Sequence, residues 1–136
     1  MIRWVTALLW ASIIFYLSSV SNLSSGLESD FVLRKFAHIF VYLVLTLLVF
    51  YALLGDRKIS ETKNKDILKI SLFSFCLSLF YSVSDEYHQT FVLGRHGDPK
   101  DILIDSVGIV IAVACIWFYH FKFVTGAKNY KQDQDS

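Results

Sequence analysis

Residues 84–105 read SDEYHQTFVLGRHGDPKDILID, an acid-, histidine-, arginine- and glutamine-rich stretch between two strongly apolar runs. These side chains suit three kinds of chemistry. Arg95, with Lys35 from an earlier segment, can grip a phosphate or carboxylate, Arg as a bidentate fork and Lys as a point charge. Tyr42 and Gln89 can orient such a ligand, while Asp85, Asp101 and Asp105 hold the basic groups in place. His88 can act as a base or nucleophile, oriented by Asp85 or Asp105, with His38 a second acid–base candidate. A mixed cation site is the third option, from His38, Asp85, His88 and Asp105. It lacks the tight ligand spacing of a zinc motif, so the leading reading requires no metal or other cofactor. Ionisable groups at a bilayer boundary are costly to keep and mark a functional site by default. The alternative is a solvated loop, in which charge is ordinary.

The elements that must position these groups are membrane spans. The 136 residues suit one domain, and at 54% hydrophobic and mean hydropathy +0.48 the chain is too apolar for an ordinary soluble fold. Apolar runs cover residues 4–20, 36–54, 67–83 and 102–124, each near the 20 or so residues needed to cross a hydrocarbon core. Without water to satisfy the backbone, such spans are helices. The expectation is therefore an all-α polytopic bundle of four transmembrane helices over residues 1–125, followed by a disordered polar tail at 126–136. The first run also resembles a secretory signal, with Arg3 ahead and Ser19 and Ser21 behind. Cleavage there would leave an unpaired three-helix remainder. Cys76 and Cys115 lie within apolar runs and read as small buried residues.

Basic residues set the expected orientation. Arg3, Arg57, Lys58, Lys63, Lys65, Lys69, Lys122, Lys128 and Lys131 fall on one side, against Arg34, Lys35, Arg95 and Lys100 on the other. Nine against four puts both termini and the 55–66 loop in the cytoplasm. The 21–35 and 84–100 connections then face outward. A net charge of +1 gives no reason to expect nucleic acid as a partner.

At about 100° per residue, three helices each carry a polar stripe at the outward end. The second has Lys35, His38 and Tyr42; the third has Ser78, Tyr81, Ser82, Asp85, His88 and Gln89, with Glu86 off its centre. The fourth has Asp101 and Asp105, continuing into Gly108 and Ala112, a small-xxx-small pair suited to close helix approach. Polar faces in lipid turn toward one another, so the stripes are expected to form one site. Ser18, Ser19 and Ser21 either end the first helix or add hydroxyls to the rim. Asp98, just before Pro99, reads as an N-cap. His96 and His120 have no partners at helical spacing and are assigned no role.

Several pieces together resemble the VanZ-like family of small bacterial membrane proteins. They are FYLSS at 15–19, the K-x-x-H-x-x-x-Y of Lys35, His38 and Tyr42, and SDE-x-HQ-x-F at 84–91. Gly94–Arg95 and the D-x-x-x-D-x-x-G of Asp101, Asp105 and Gly108 complete the set. The resemblance runs from the first helix to the fourth and omits the tail. It departs at His96 and Asp98, where many relatives have small residues. It implies a four-helix protein of the bacterial plasma membrane, in a family named for a member that confers low-level resistance to teicoplanin, a glycopeptide with an acyl tail. It implies no agreed mechanism. The expected partners are membrane lipids, a lipid-linked wall precursor or an acylated glycopeptide, whose polar head meets the outward site. The alternative is a membrane-embedded hydrolase or transferase acting on lipid phosphates. Carboxylates as close as Asp85, Glu86, Asp101 and Asp105 repel one another, so protons, charged histidines or a divalent cation must balance them.

Overall fold

The computed structural model describes residues 2–21, 30–95 and 97–134; the side chains of 30, 31 and 125–134 lie outside the described residues, as does His96. Helices α1 (Ile2–Ser19), α2 (Asp30–Leu54), α3 (Asn64–Gln89) and α4 (Pro99–Gln134) follow in order, with a short 3-10 turn at Ile59–Glu61 before α3. There is no strand among the described residues. All four helices are long and apolar enough to cross a membrane, over Ile2–Ser19, Val32–Leu54, Asn64–Gln89 and Pro99–Val124. Helices α2 and α3 outrun their apolar stretches, because the polar residues at their ends pair with other helices and the backbone need not unwind to reach water. The path of α4 is described through Gln134, into the 126–136 stretch.

Burial is inverted relative to a water-soluble fold. Phe36, Phe40, Leu72, Phe80 and Phe118 point outward, whereas Thr46, Ser74, Ser78 and Ser82 are wholly enclosed. Lipid tails are as apolar as leucine, so burying apolar surface between helices gains little and small residues that permit close packing take the seam. Helix α2 is the hub, packing most extensively against α4. At their crossing a Cβ on Gly108 would lie 2.1 Å from the Ile39 carbonyl oxygen, and Ala112 is fully buried on the same face. The expected small-xxx-small pair is therefore the α2–α4 seam. Helix α1 is fastened by side-chain bonds to backbone carbonyls: Trp10 Nε1–H donates to Val41 O at 2.9 Å, and its own Ala11 O accepts from Tyr81 Oη at 2.6 Å.

Two readings are corrected here. Cys76 and Cys115 are exposed rather than buried, because the outer surface of a membrane bundle is itself apolar and accepts a thiol as readily as the core does. His120, assigned no role from spacing, is buried at the end of the bundle remote from the polar stripes. Its ring bridges Ile59 O at 3.0 Å and the Asn64 side chain at 2.9 Å, tying α4 to the 3-10 turn and the start of α3. Its partners come from a loop, which periodicity along α4 does not reveal.

The seam predicts the effect of enlarging Gly108. The first obstacle to a side chain there is backbone, so Gly108→Val should cost at least the ~1–3 kcal/mol typical of overpacking, and Gly108→Ala less. Thermal unfolding in detergent measures this; wild-type stability for Gly108→Val would refute so close an α2–α4 approach.

Candidate functional site

The polar stripes converge where α1 and α3 end and α2 and α4 begin. The geometry follows from helix turn: residues three, four and seven apart share a face, and each helix turns that face inward. From α2, Lys35 forms an ion pair with Asp101 of α4. One turn deeper, His38 Nδ1 lies 2.9 Å from Asp105 Oδ1, its N–H donating to the carboxylate. Asp105 Oδ2 accepts from Ser82 Oγ of α3 at 2.6 Å. Asp85 accepts from Ser18 Oγ of α1 at 2.6 Å and from Gln89 Nε2 at 3.1 Å. Asp85, Glu86 and Gln89 are each 4% exposed, and Asp105 and Tyr42 not at all. Together these groups form a polar network of neighbouring bonded sets, not one continuous chain of bonds, that draws on all four helices, and Ser18 is a member of it rather than only the end of α1.

Within the stripe of α3 the rotation differs from expectation. Ser78, Ser82, Asp85, Glu86 and Gln89 are the buried positions, so the centre falls between Asp85 and Glu86. Tyr81 and His88 lie on the flank toward α1, where His88 packs on the Phe15 ring at a centroid distance of 4.3 Å. Glu86 is thus central. Its Oε1 accepts from Gln89 at 3.2 Å, and its Oε2 accepts the Asp98 backbone N–H at 2.9 Å. That second bond, formed by a loop folding back over α3, is what turns Glu86 inward. His38, Glu86 and Asp105 each offer a ligand atom within 4.8 Å of the others. This group shares His38 and Asp105 with the mixed cation set weighed as an alternative from the sequence (His38, Asp85, His88 and Asp105).

The 90–98 loop is held by several bonds. Gly94 has φ of 79°, a conformation that glycine adopts without strain. A Cβ on Gly97 would lie 2.3 Å from Glu86 O, so only glycine lets this segment lie on the end of α3. Asp98 Oδ1 accepts the Lys100 N–H at 2.9 Å, which makes it the expected N-cap of α4. Arg95 is turned toward α1: Nε donates to Val20 O at 3.1 Å and Nη2 to Leu17 O at 2.9 Å. Two of its five N–H donors thus cap the carbonyl end of α1, a positioning role that its position in the sequence does not indicate.

Beside the network is a pocket of about 100 Å³, lined on the α1 and α2 sides by Ile14, Leu17, Ala37 and Val41 and on the polar side by Ser18, Arg34, His38, Tyr42, Asp85, Gln89 and Arg95. A water occupies about 30 Å³, so the space suits one small charged group or a few waters. Buried polar atoms in it are not all satisfied: Tyr42 Oη has no hydrogen-bond partner, at a cost of roughly 1–3 kcal/mol if nothing binds it.

Because Arg95 clamps the end of α1, Arg95→Ala should destabilise the protein by about 1.5–3 kcal/mol, the usual worth of a charged hydrogen bond. In a background lacking Cys76 and Cys115, it should also let a thiol reagent reach position 18, as Cys, faster than in the Arg95 parent, because Ser18 is only 6% exposed. Unchanged stability and labelling would remove the clamp.

Comparison with curated proteins finds no match, and comparison with solved structures finds none. A family model does match: the one described as VanZ/LLP1 aligns with residues 3–120 and so takes in all four helices and every residue of the network. Four helices of membrane-spanning length, joined at one end by the lysine–histidine, SDE-x-HQ and paired-aspartate pieces, together with that match, make this chain a member of the VanZ-like family of membrane proteins.

Proposed function

We propose that the polar end faces outward from the bacterial plasma membrane and binds the polar head of an amphiphile: a phospholipid, a lipid-linked wall precursor, or an acylated glycopeptide such as teicoplanin. The observation that carries this reading is the two-sided pocket. Ile14, Leu17, Ala37 and Val41 give it an aliphatic face, Ser18, His38, Tyr42, Asp85 and Gln89 a polar one, and Arg34 and Arg95 lie among its lining residues. A single phosphate or carboxylate of a head can enter it while the rest of the molecule stays outside and the chain stays in lipid. Guanidinium groups suit phosphate and carboxylate heads. The orientation rests on the excess of lysine and arginine at the opposite end. A contribution to glycopeptide resistance follows if the bound head belongs to the drug or to its wall target.

A second reading is supported by the His38–Asp105 pair. A partly buried imidazole with a buried carboxylate fixing one nitrogen is the arrangement that general acid–base catalysis uses. If the protein hydrolyses or transfers lipid phosphates, His38 is a better candidate base than His88, which is packed on Phe15.

Filling the pocket separates binding from fold. Ala37→Trp puts a large ring at the mouth without removing any polar group of the network. It should weaken binding of a short-chain anionic phospholipid or of teicoplanin by about tenfold or more, close to 1.4 kcal/mol, and lower drug tolerance of expressing cells in parallel. Equal binding by a well-folded Ala37→Trp variant would sink the reading. Phosphate release lost in His38→Ala would favour the enzyme instead. For orientation, Thr90→Cys in a background lacking Cys76 and Cys115 should react with a membrane-impermeant thiol reagent on whole cells; labelling only after lysis would reverse the assignment.

A further inference from the structure

Headgroup binding leaves one part of the site unexplained. Asp85, Glu86 and Asp105 are at most 4% exposed. The partners described for them are two serine hydroxyls, the Gln89 amide, a backbone N–H and the His38 imidazole. None of these brings a fixed positive charge. Lys35 of α2 is engaged with Asp101, and Arg95 with the carbonyl end of α1. Several buried carboxylates at close quarters cost several kcal/mol each unless compensated. Desolvated anions that share one site are compensated in only two ways: by taking up protons or by holding a cation.

We propose that His38, Glu86 and Asp105 form a site for a borderline divalent cation of the Zn²⁺ or Mn²⁺ class. The donor set suits it: one imidazole and two carboxylates are ligands of this class, whereas alkaline-earth ions prefer oxygen throughout. The spacing suits it too. All three donors lie within 4.8 Å of one another, and a cation there would replace the proton that His38 Nδ1 donates to Asp105 Oδ1, because an imidazole ligates through a deprotonated nitrogen. Each donor comes from a different helix, so the site exists only in the folded bundle. An independent observation points the same way. The Tyr42 hydroxyl is wholly buried and unpartnered, and Tyr42 lines the pocket together with His38 and Asp85. A water on the cation's open position would give it the partner it lacks. Three protein ligands plus water is the composition of a metal site that can accept an exogenous group.

The test uses the full chain purified in detergent without added phospholipid, so its outcome is separate from headgroup binding. After stripping with chelator, the protein is titrated with Zn²⁺, Mn²⁺ and Co²⁺, and bound metal is counted by elemental analysis. The expected result is about one equivalent per chain, a visible Co²⁺ spectrum of nitrogen–oxygen coordination, and a rise in melting temperature with added metal. Glu86→Gln and His38→Gln should weaken binding by about a hundredfold while keeping wild-type helicity. Glu61→Gln, at the opposite end, should leave it unchanged. Absence of stoichiometric binding in the wild-type protein would overturn the site and leave protons as the compensation. Binding that survives both substitutions would overturn it as well, showing a cation held elsewhere. If the substituted proteins do not fold, the wild-type Co²⁺ spectrum decides: bands lacking nitrogen coordination would exclude His38.

Discussion

Carboxylates shut inside a lipid-embedded bundle find no water, so every one of them must be satisfied by another part of the chain. That constraint shapes this molecule. Asp105 joins α4 to His38 of α2 and Ser82 of α3; Asp85 joins α3 to Ser18 of α1; Glu86 joins α3 to the loop before α4. The carboxylates that make the site chemically capable are therefore also cross-links between elements of the fold. In water the hydrophobic effect would hold such helices together; in lipid it does not, and close packing with interhelix hydrogen bonds does the work instead. The glycine seam at Gly108 and the polar network are the two halves of that arrangement, one near the middle of α2 and one at its beginning. Site and scaffold use the same bonds.

The two ends of the bundle differ in kind. At one end the charges are inside and mostly acidic. At the other they are basic and solvent-facing: Arg57, Lys63, Lys65 and Lys69 are all exposed, and the ion pair of Arg3 with Asp56 is peripheral. Surface charge of this sort is inexpensive and sets orientation, whereas buried charge is retained at a cost that only function or specificity explains. His120 shows that a buried polar group can also be purely structural. Both its ring nitrogens have hydrogen-bond partners within the fold, the Ile59 carbonyl and the Asn64 amide.

Much of this was legible in the sequence because helices project side chains on a fixed period. The four spans, the meeting of the three stripes and the close approach at Gly108 all follow from residues three, four and seven apart. What was not legible came from outside that period. Including Tyr81 and His88 in the stripe of α3 pulled its apparent centre toward α1; Glu86 lies only about 40° from Ser82 on an ideal helix, but its inward role depends on a bond from a loop residue twelve positions later. Arg95 looks like a ligand grip in one dimension, and only the fold brings the carbonyl end of α1 against it. The cysteines failed for a different reason: an apolar neighbourhood in sequence does not distinguish the core from a lipid-facing surface.

The pocket and the cation group share a single residue, His38, and that overlap bears on how an anionic head could be accepted at all. The inner side of the pocket presents Asp85, backed by Glu86 and Asp105, and three carboxylates there would repel a phosphate or carboxylate. Arginines among the lining residues attract such a group but do not cancel the field behind it, which a low-dielectric surround leaves poorly screened. A divalent cation on His38, Glu86 and Asp105 would neutralise two of the three negative charges and leave Asp85 alone to oppose an anionic head, against the two arginines of the lining. Head binding and cation binding would then be coupled, each strengthening the other by the same factor, as linkage requires. Without the cation, protons on these carboxylates would have to remove the same charge before an anionic head could enter.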